Sequence, residues 1–193
     1  MENEEVFCIK RNLLPSSWLG RKNYRKLDLK NVKNFINDAA FEFKNRTKIE
    51  NNNDYKQIIP YILICSENKI FTYKRKGKET RLHNLCSVGI GGHIELIDED
   101  SENYKTIING ARRELQEELG LKNLRPQWLG IINEEIYPVG SVHIGFVFKI
   151  KLGRNYNIKI SQEVKNYEWN EIKSGFLKDK KLELWSELAL NLI

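Results

Sequence analysis

The sequence predicts a domain of the α/β class, on three observations. An apolar stripe of helical period runs from about Tyr104 to Leu119, short apolar runs of strand length stand on both sides of it, and 193 residues suffice for one well-buried core but not comfortably for two. Hydrophobic residues make up 40% and aromatics 10% of the chain, which is the composition of a globular protein. With no internal repeat, low-complexity tract or Pro-rich linker to divide it, residues 1–55 read as an N-terminal extension packed on the same domain and 56–193 as the main unit.

VFCIKR near the N-terminus is a strand candidate. Leu29, Val32, Phe35, Ile36, Ala39, Ala40 and Phe43 follow at spacings of three and four, which predicts an amphipathic helix, and the polar cluster ENNND at 50–54 reads as a loop. IIPYILI (58–64), the turn-like SENK and IFTYKRK (70–76) predict a β-hairpin. NLCSVGI is another short apolar run, ending at Gly91 and Gly92, where backbone can bend sharply or approach a ligand closely. The central helix follows, with Ile108, Ala111, Leu115 and Leu119 on one stripe and Gly120 as its stop. WLGIINEEI, VHIGFVFKIKL and YEWNEI read as strands, and KLELWSELALNLI as a last helix.

Several classes are excluded at this point. No run approaches the roughly 20 apolar residues that cross a bilayer, and the acidic start MENEEVF lacks the layout of a signal peptide, so the expectation is a cytoplasmic protein without a membrane partner. Cys8, Cys65 and Cys86 are odd in number and widely spaced, which predicts reduced core thiols and neither a disulfide framework nor a cysteine zinc site. The formal charge of +6 favours anionic partners, but the lysines are scattered and not clustered with aromatics, which argues against nucleic acid.

The chemistry concentrates in the string from Arg113 to Leu121. At about 100° per residue, Glu114, Glu117 and Glu118 fall on one face of the helix while Leu115 and Leu119 turn to the core. Such like charges repel by a few tenths of a kcal/mol per pair, and a bound cation reverses the sign. Hard carboxylate ligands suit Mg2+, with Mn2+ as substitute, and Arg113 lies one turn before Glu117, within reach of its carboxylate. An acid-rich exposed helix would account for Glu117 and Glu118 alone; it accounts poorly for the whole string preceded by Gly91, Gly92, His93, Ile94 and Glu95.

These residues resemble the Nudix hydrolase family, whose signature is Gly, five residues, Glu, seven residues, then Arg-Glu-apolar-any-Glu-Glu-any-Gly-apolar. The second half is complete from Arg113 to Leu121, and KQIIPYILI through SVGIGGHIEL is similar to a bacterial branch of predicted phosphoesterases with an enlarged Nudix box. The resemblance spans about Ile58 to Ile172 and implies a Nudix-type α/β/α sandwich with a mixed central sheet, preceded here by a strand-helix extension. The first half departs from the signature: Gly92 and Arg113 stand 21 positions apart, seven more than the family's spacing. Counting forward from Gly92 puts Asp98 at the box glutamate, and counting back from Arg113 puts Lys105 there. Seven residues are close to two helical turns, so an insertion within DEDSENYK leaves the acidic face in phase, with Asp98, Asp100 or Ser101 capping the helix. Asp98 reads as a solvated loop acid, with replacement of the missing glutamate as the rival.

By the same resemblance, the carbonyl of Gly91 with Glu117 and Glu118 would hold metal, and Glu114 would bind metal or accept a proton from the attacking water. Glu163, six residues before Trp169, fits the place of a further acid, with Glu134 and Glu135 as substitutes. His93 reads as hydrogen-bonded in its own loop, and Lys74 and Arg81 as solvated bases, each with a phosphate contact as the alternative. The implied activity is metal-dependent hydrolysis of a small-molecule phosphoanhydride by in-line attack of water. The rival is a Nudix-fold nucleotide or sugar-phosphate binding module without turnover. An isomerase of the isopentenyl diphosphate type is disfavoured, because the position two before His93 is Gly91 and not a cysteine. Many Nudix relatives form dimers, so a homodimer stands among the implied partners.

Overall fold

A computed structural model describes residues 4–75, 85–153, 156–161, 164–172 and 180–193. In chain order the elements are β1 (Glu5–Lys10), β2 (Lys22–Arg25), α1 (Leu29–Asp38), β3 (Phe41–Asn45), α2 (Arg46–Ile49), β4 (Tyr55–Ser66), β5 (Lys69–Arg75), β6 (Cys86–Ser87), β7 (Gly89–Ile90), α3 (Asn103–Leu119), β8 (Gln127–Glu134), α4 (Pro138–Ser141), β9 (His143–Leu152), β10 (Val164–Glu171) and α5 (Leu184–Leu190). The main sheet runs β10-β5-β4-β9-β8-β2. β4 and β9 are parallel and the other neighbours on this path antiparallel, so the sheet is mixed as expected.

β4 shows why the elements assemble as they do. Its apolar run is nearly unbroken, which suits a strand covered on both faces. Ile58, Ile62 and Ile64 pack with Ile107, Ala111, Leu115 and Leu119 of α3, while Tyr61, Leu63 and Cys65 pack with Leu188 and Ala189 of α5. The result is the α/β/α sandwich. On α3 the deepest apolar residue of the first turns is Ile107 and not Ile108, which is only partly buried. Gly120 ends α3 in the left-handed region at φ 65°, and its N–H reaches Gln116 O while that of Leu121 reaches Leu115 O at 3.1 Å. All three cysteines are free and buried.

The N-terminal 55 residues differ from the expectation. α1 starts where Asp28 accepts the Asn31 N–H at 3.0 Å but ends at Asp38, so Ala40 and Phe43 lie outside it. Phe41–Asn45 is a strand, because Phe41 and Phe43 pair across to β1, where the Phe7 ring stacks on Phe41 at 5.1 Å. β1 in turn joins β4, and the polar strand β2, which no hydrophobic pattern announced, pairs with β8.

The stretch from Gly92 to Arg113, seven residues longer than the family signature, contains a short turn and the first turns of α3. Leu96–Asp98 forms a 3₁₀ turn, and α3 begins after Glu102 without a side-chain cap. Asp98 therefore does not cap α3; it accepts the Glu95 N–H at 2.9 Å, and Asp100 accepts that of Glu102 at 3.2 Å. The first turn of α3 docks on α1 instead. Asn103 Nδ2 donates to Ile36 O at 2.9 Å and Ala39 O at 3.3 Å, and the Tyr104 N–H donates to Asn37 Oδ1 at 3.0 Å.

Candidate active site

The second half of α3 is organised by one guanidinium. Arg113 Nε donates to Asp98 Oδ1 at 3.1 Å, Nη2 to Asp98 Oδ2 at 3.0 Å and to His93 O at 2.7 Å, and Nη1 to Glu114 Oε1 and Glu117 Oε2, both at 2.9 Å. Glu95 stands 3.8 Å away. Asp98 is 4% exposed, which corrects its reading as a solvated acid. Asp98 stands six residues after Gly92, and the turn that carries it presents it to Arg113.

Glu114 is buried against the glycine pair. A Cβ on Gly91 would strike the carbonyl of Pro60, and one on Gly92 would lie 2.5 Å from Glu114 Oε1 and displace that carboxylate. Burial pushes the Glu114 carboxyl up to about 7; Arg113 opposes the shift, and Glu117 and Glu118 add to it. Glu118 Oε2 accepts from the Ser161 hydroxyl at 2.5 Å, and the Ser161 N–H bonds Glu118 O at 2.9 Å. The arrangement is thus an all-oxygen patch in which Glu95, Asp98, Glu114 and Glu117 surround the Arg113 guanidinium, with Glu118 on the next position of the helix bound to Ser161.

On the far side of Gly91 and Gly92 opens a pocket of about 690 Å³, into which Lys22, Arg46, Tyr137 and Trp185 also face. A volume of this order suits a small molecule. Helix α3 does not line it; the glycine pair is where carboxylate patch and pocket meet. His93 stands on the pocket wall and bonds across the fold, Nε2 to Nε2 of His143 at 3.1 Å, and not within its own loop as expected. Burial pushes both imidazoles below the ordinary histidine value, so both are neutral at pH 7.

The expected residues Arg113, Glu114 and Glu117 are thereby brought together, with Glu118 one position beyond and Gly91 beside Gly92. Glu163 and Arg81 lie outside the described residues. Of the substitutes, Glu134 is buried and accepts the N–H groups of Ile136 and Tyr137, while Glu135 pairs with Arg11 at 2.5 Å and Lys56 at 3.3 Å. Lys74 is exposed on β5. Sequence reasoning missed His143 and Glu50, which line the pocket, and undervalued Asp98. Only Asp98 had a signal, the forward count from Gly92.

No family model matches the chain. It is 32% identical over 166 residues to Protein YmaB of Bacillus subtilis (strain 168), covering 81% of this chain and 80% of that protein. Among solved structures it superposes on Tm1382, a proposed Nudix hydrolase, with a TM-score of 0.77 at 24% identity, over 98% of this chain and all of the other. The Nudix domain of Shewanella oneidensis NrtR, solved with ADP ribose, gives 0.56 at 12% identity over 71% of this chain and 85% of that one. A bifunctional NMN adenylyltransferase/ADP ribose pyrophosphatase from Francisella tularensis, solved with AMP and a manganese ion, gives 0.54 at 17% identity over 70% of this chain and 40% of that one. The fold is therefore the Nudix fold. The match to Tm1382 takes in the N-terminal segment, and the other two stop at about 70% of the chain.

Proposed function

We propose that this chain, which belongs to the family that includes Protein YmaB and has the Nudix hydrolase fold, is an enzyme that hydrolyses a small phosphoanhydride with the help of a divalent metal. The observation that carries the reading is the gathering of Asp98, Glu114 and Glu117 on Arg113, directly behind the glycine pair of the pocket. The donor set fits a hard cation: it is all oxygen, and four carboxylates, those of Glu95, Asp98, Glu114 and Glu117, face one guanidinium. Glu114, Glu117, Glu118 and the Gly91 carbonyl would hold Mg2+ or Mn2+. Such an ion, when bound, neutralises phosphate charge and lowers the pKa of water.

The chain's own residues supply positioning. Arg113 fixes the carboxylates of Glu114 and Glu117, and its second arm on Asp98 stops it from swinging out to solvent. Glu114, buried against Gly92 where the patch meets the pocket, is the carboxylate that either holds the metal or takes a proton from the attacking water. Lys22 and Arg46 supply positive charge, and Tyr137 and Trp185 flat apolar surface, which fits a substrate carrying both phosphate and an aromatic or sugar moiety. The further acid is assigned to Glu163, tested by Glu163→Gln.

The deciding experiment is a screen of nucleoside triphosphates, ADP-ribose-like dinucleotides and non-nucleotide diphosphates with wild type and Glu117→Gln side by side. Magnesium-dependent release of phosphate or nucleoside monophosphate by wild type alone supports hydrolysis. Binding of a compound without turnover of any would favour the regulatory module.

A further inference from the structure

Three potential ligands converge on the pocket wall from distant parts of the chain. Glu50 follows the last turn of α2, His93 follows the glycine pair after β7, and His143 opens β9. One ligand atom from each lies within 4.8 Å of the others, and all three residues line the pocket. None of them belongs to the carboxylate patch on α3.

We propose that Glu50, His93 and His143 form a second metal site, for a transition-metal ion of the zinc class, whose open coordination position faces the pocket and takes an oxygen of the bound ligand. The donor chemistry separates this site from the first. Imidazole nitrogen suits zinc and its neighbours, whereas magnesium keeps to oxygen. Spacing agrees as well: two imidazole nitrogens on one tetrahedral zinc, each about 2.0–2.1 Å from the ion, stand about 3.3 Å apart, and His93 Nε2 and His143 Nε2 are 3.1 Å apart.

The outer contacts are those of a ligating histidine. His143 Nδ1 lies 2.6 Å from the carbonyl of Val139, an acceptor only, so Nδ1 carries the proton and Nε2 presents its lone pair toward His93. Glu50 is tethered by Arg46, whose Nε donates to Glu50 Oε2 at 3.0 Å. Two nitrogens, one carboxylate and a side open to a cavity are the pattern of zinc sites that keep a fourth position for water or ligand.

The test is zinc binding in the presence of excess magnesium, followed by zinc-edge X-ray absorption on the intact protein. The expected result is one zinc per chain with two imidazoles in its shell, retained in Glu117→Gln and weakened at least about tenfold in His93→Ala and in Glu50→Gln. Two outcomes overturn the proposal: no zinc held against magnesium, or bound zinc whose shell is oxygen alone and which is lost with Glu117→Gln. The absorption spectrum of wild type decides even if a histidine variant misfolds. Because the readout is metal binding, failure here leaves the hydrolase reading intact, and failure of turnover leaves this site intact.

Discussion

The two halves of α3 make different use of the same helix. Its first turn gives side-chain and backbone hydrogen bonds to α1, in contacts between neutral groups. From Arg113 onward the exposed face carries carboxylates held by one guanidinium. One half is fastened and the other is charged, which teaches that the first turn attaches the helix to the N-terminal segment and leaves the face beyond it free to carry acids.

The sharpest way to test this division is at the charged half. Glu117→Gln should lower turnover by about 10²-fold or more, the scale of losing one preorganised electrostatic group, while the melting temperature stays nearly unchanged because Glu117 is largely exposed. Steady-state kinetics and thermal unfolding on one preparation check both halves of that statement.

Arg113→Ala strips a buried acid of its partner. Asp98 is left uncompensated, so stability should fall by about 3 kcal/mol, read as a drop of about 6–12 °C in melting temperature. A small drop would mean that Asp98 finds solvent or another donor, and the view of Arg113 as the hub would lose its structural half.

Magnesium at about a hundred times its dissociation constant should raise wild-type stability by about 2.7 kcal/mol in unfolding experiments. The triple variant with Glu114, Glu117 and Glu118 neutralised should show none of this gain. Equal stabilisation of both proteins would place the ion elsewhere.

The mildest change is expected at the fastened half. Asn103→Ala removes two hydrogen bonds to the end of α1 and should cost about 1 kcal/mol, or about 2–4 °C, without altering kcat/KM. A large loss of activity would show that attachment to α1 positions the acids after all.

How legible all this was depended on the range of the interactions. Arg113 to Leu121 could be read directly, because helical phase is local and Leu115 and Leu119 declare which side is core. The hairpin β4–β5 was equally plain. The segment after α1 was misread, since spacings at Ala39, Ala40 and Phe43 imitate a helix and the partner that makes Phe41–Asn45 a strand is β1, 32 to 40 residues earlier in the pairing register. Asp98 looked like a loop acid because its partner Arg113 lies 15 residues on, a separation that no local rule spans.

By itself, then, the sequence determined the α/β class, the core stripe of α3 and the carboxylates that share its other face, because periods of two and 3.6 residues are properties of the chain alone. Only the tertiary structure decided that Asp98 is buried on Arg113, that Glu114 rests on a bare glycine, and that His93, fifty residues from His143, meets it across a pocket wall. Those contacts join segments whose separation no periodicity encodes, and packing of the sheet brings them together.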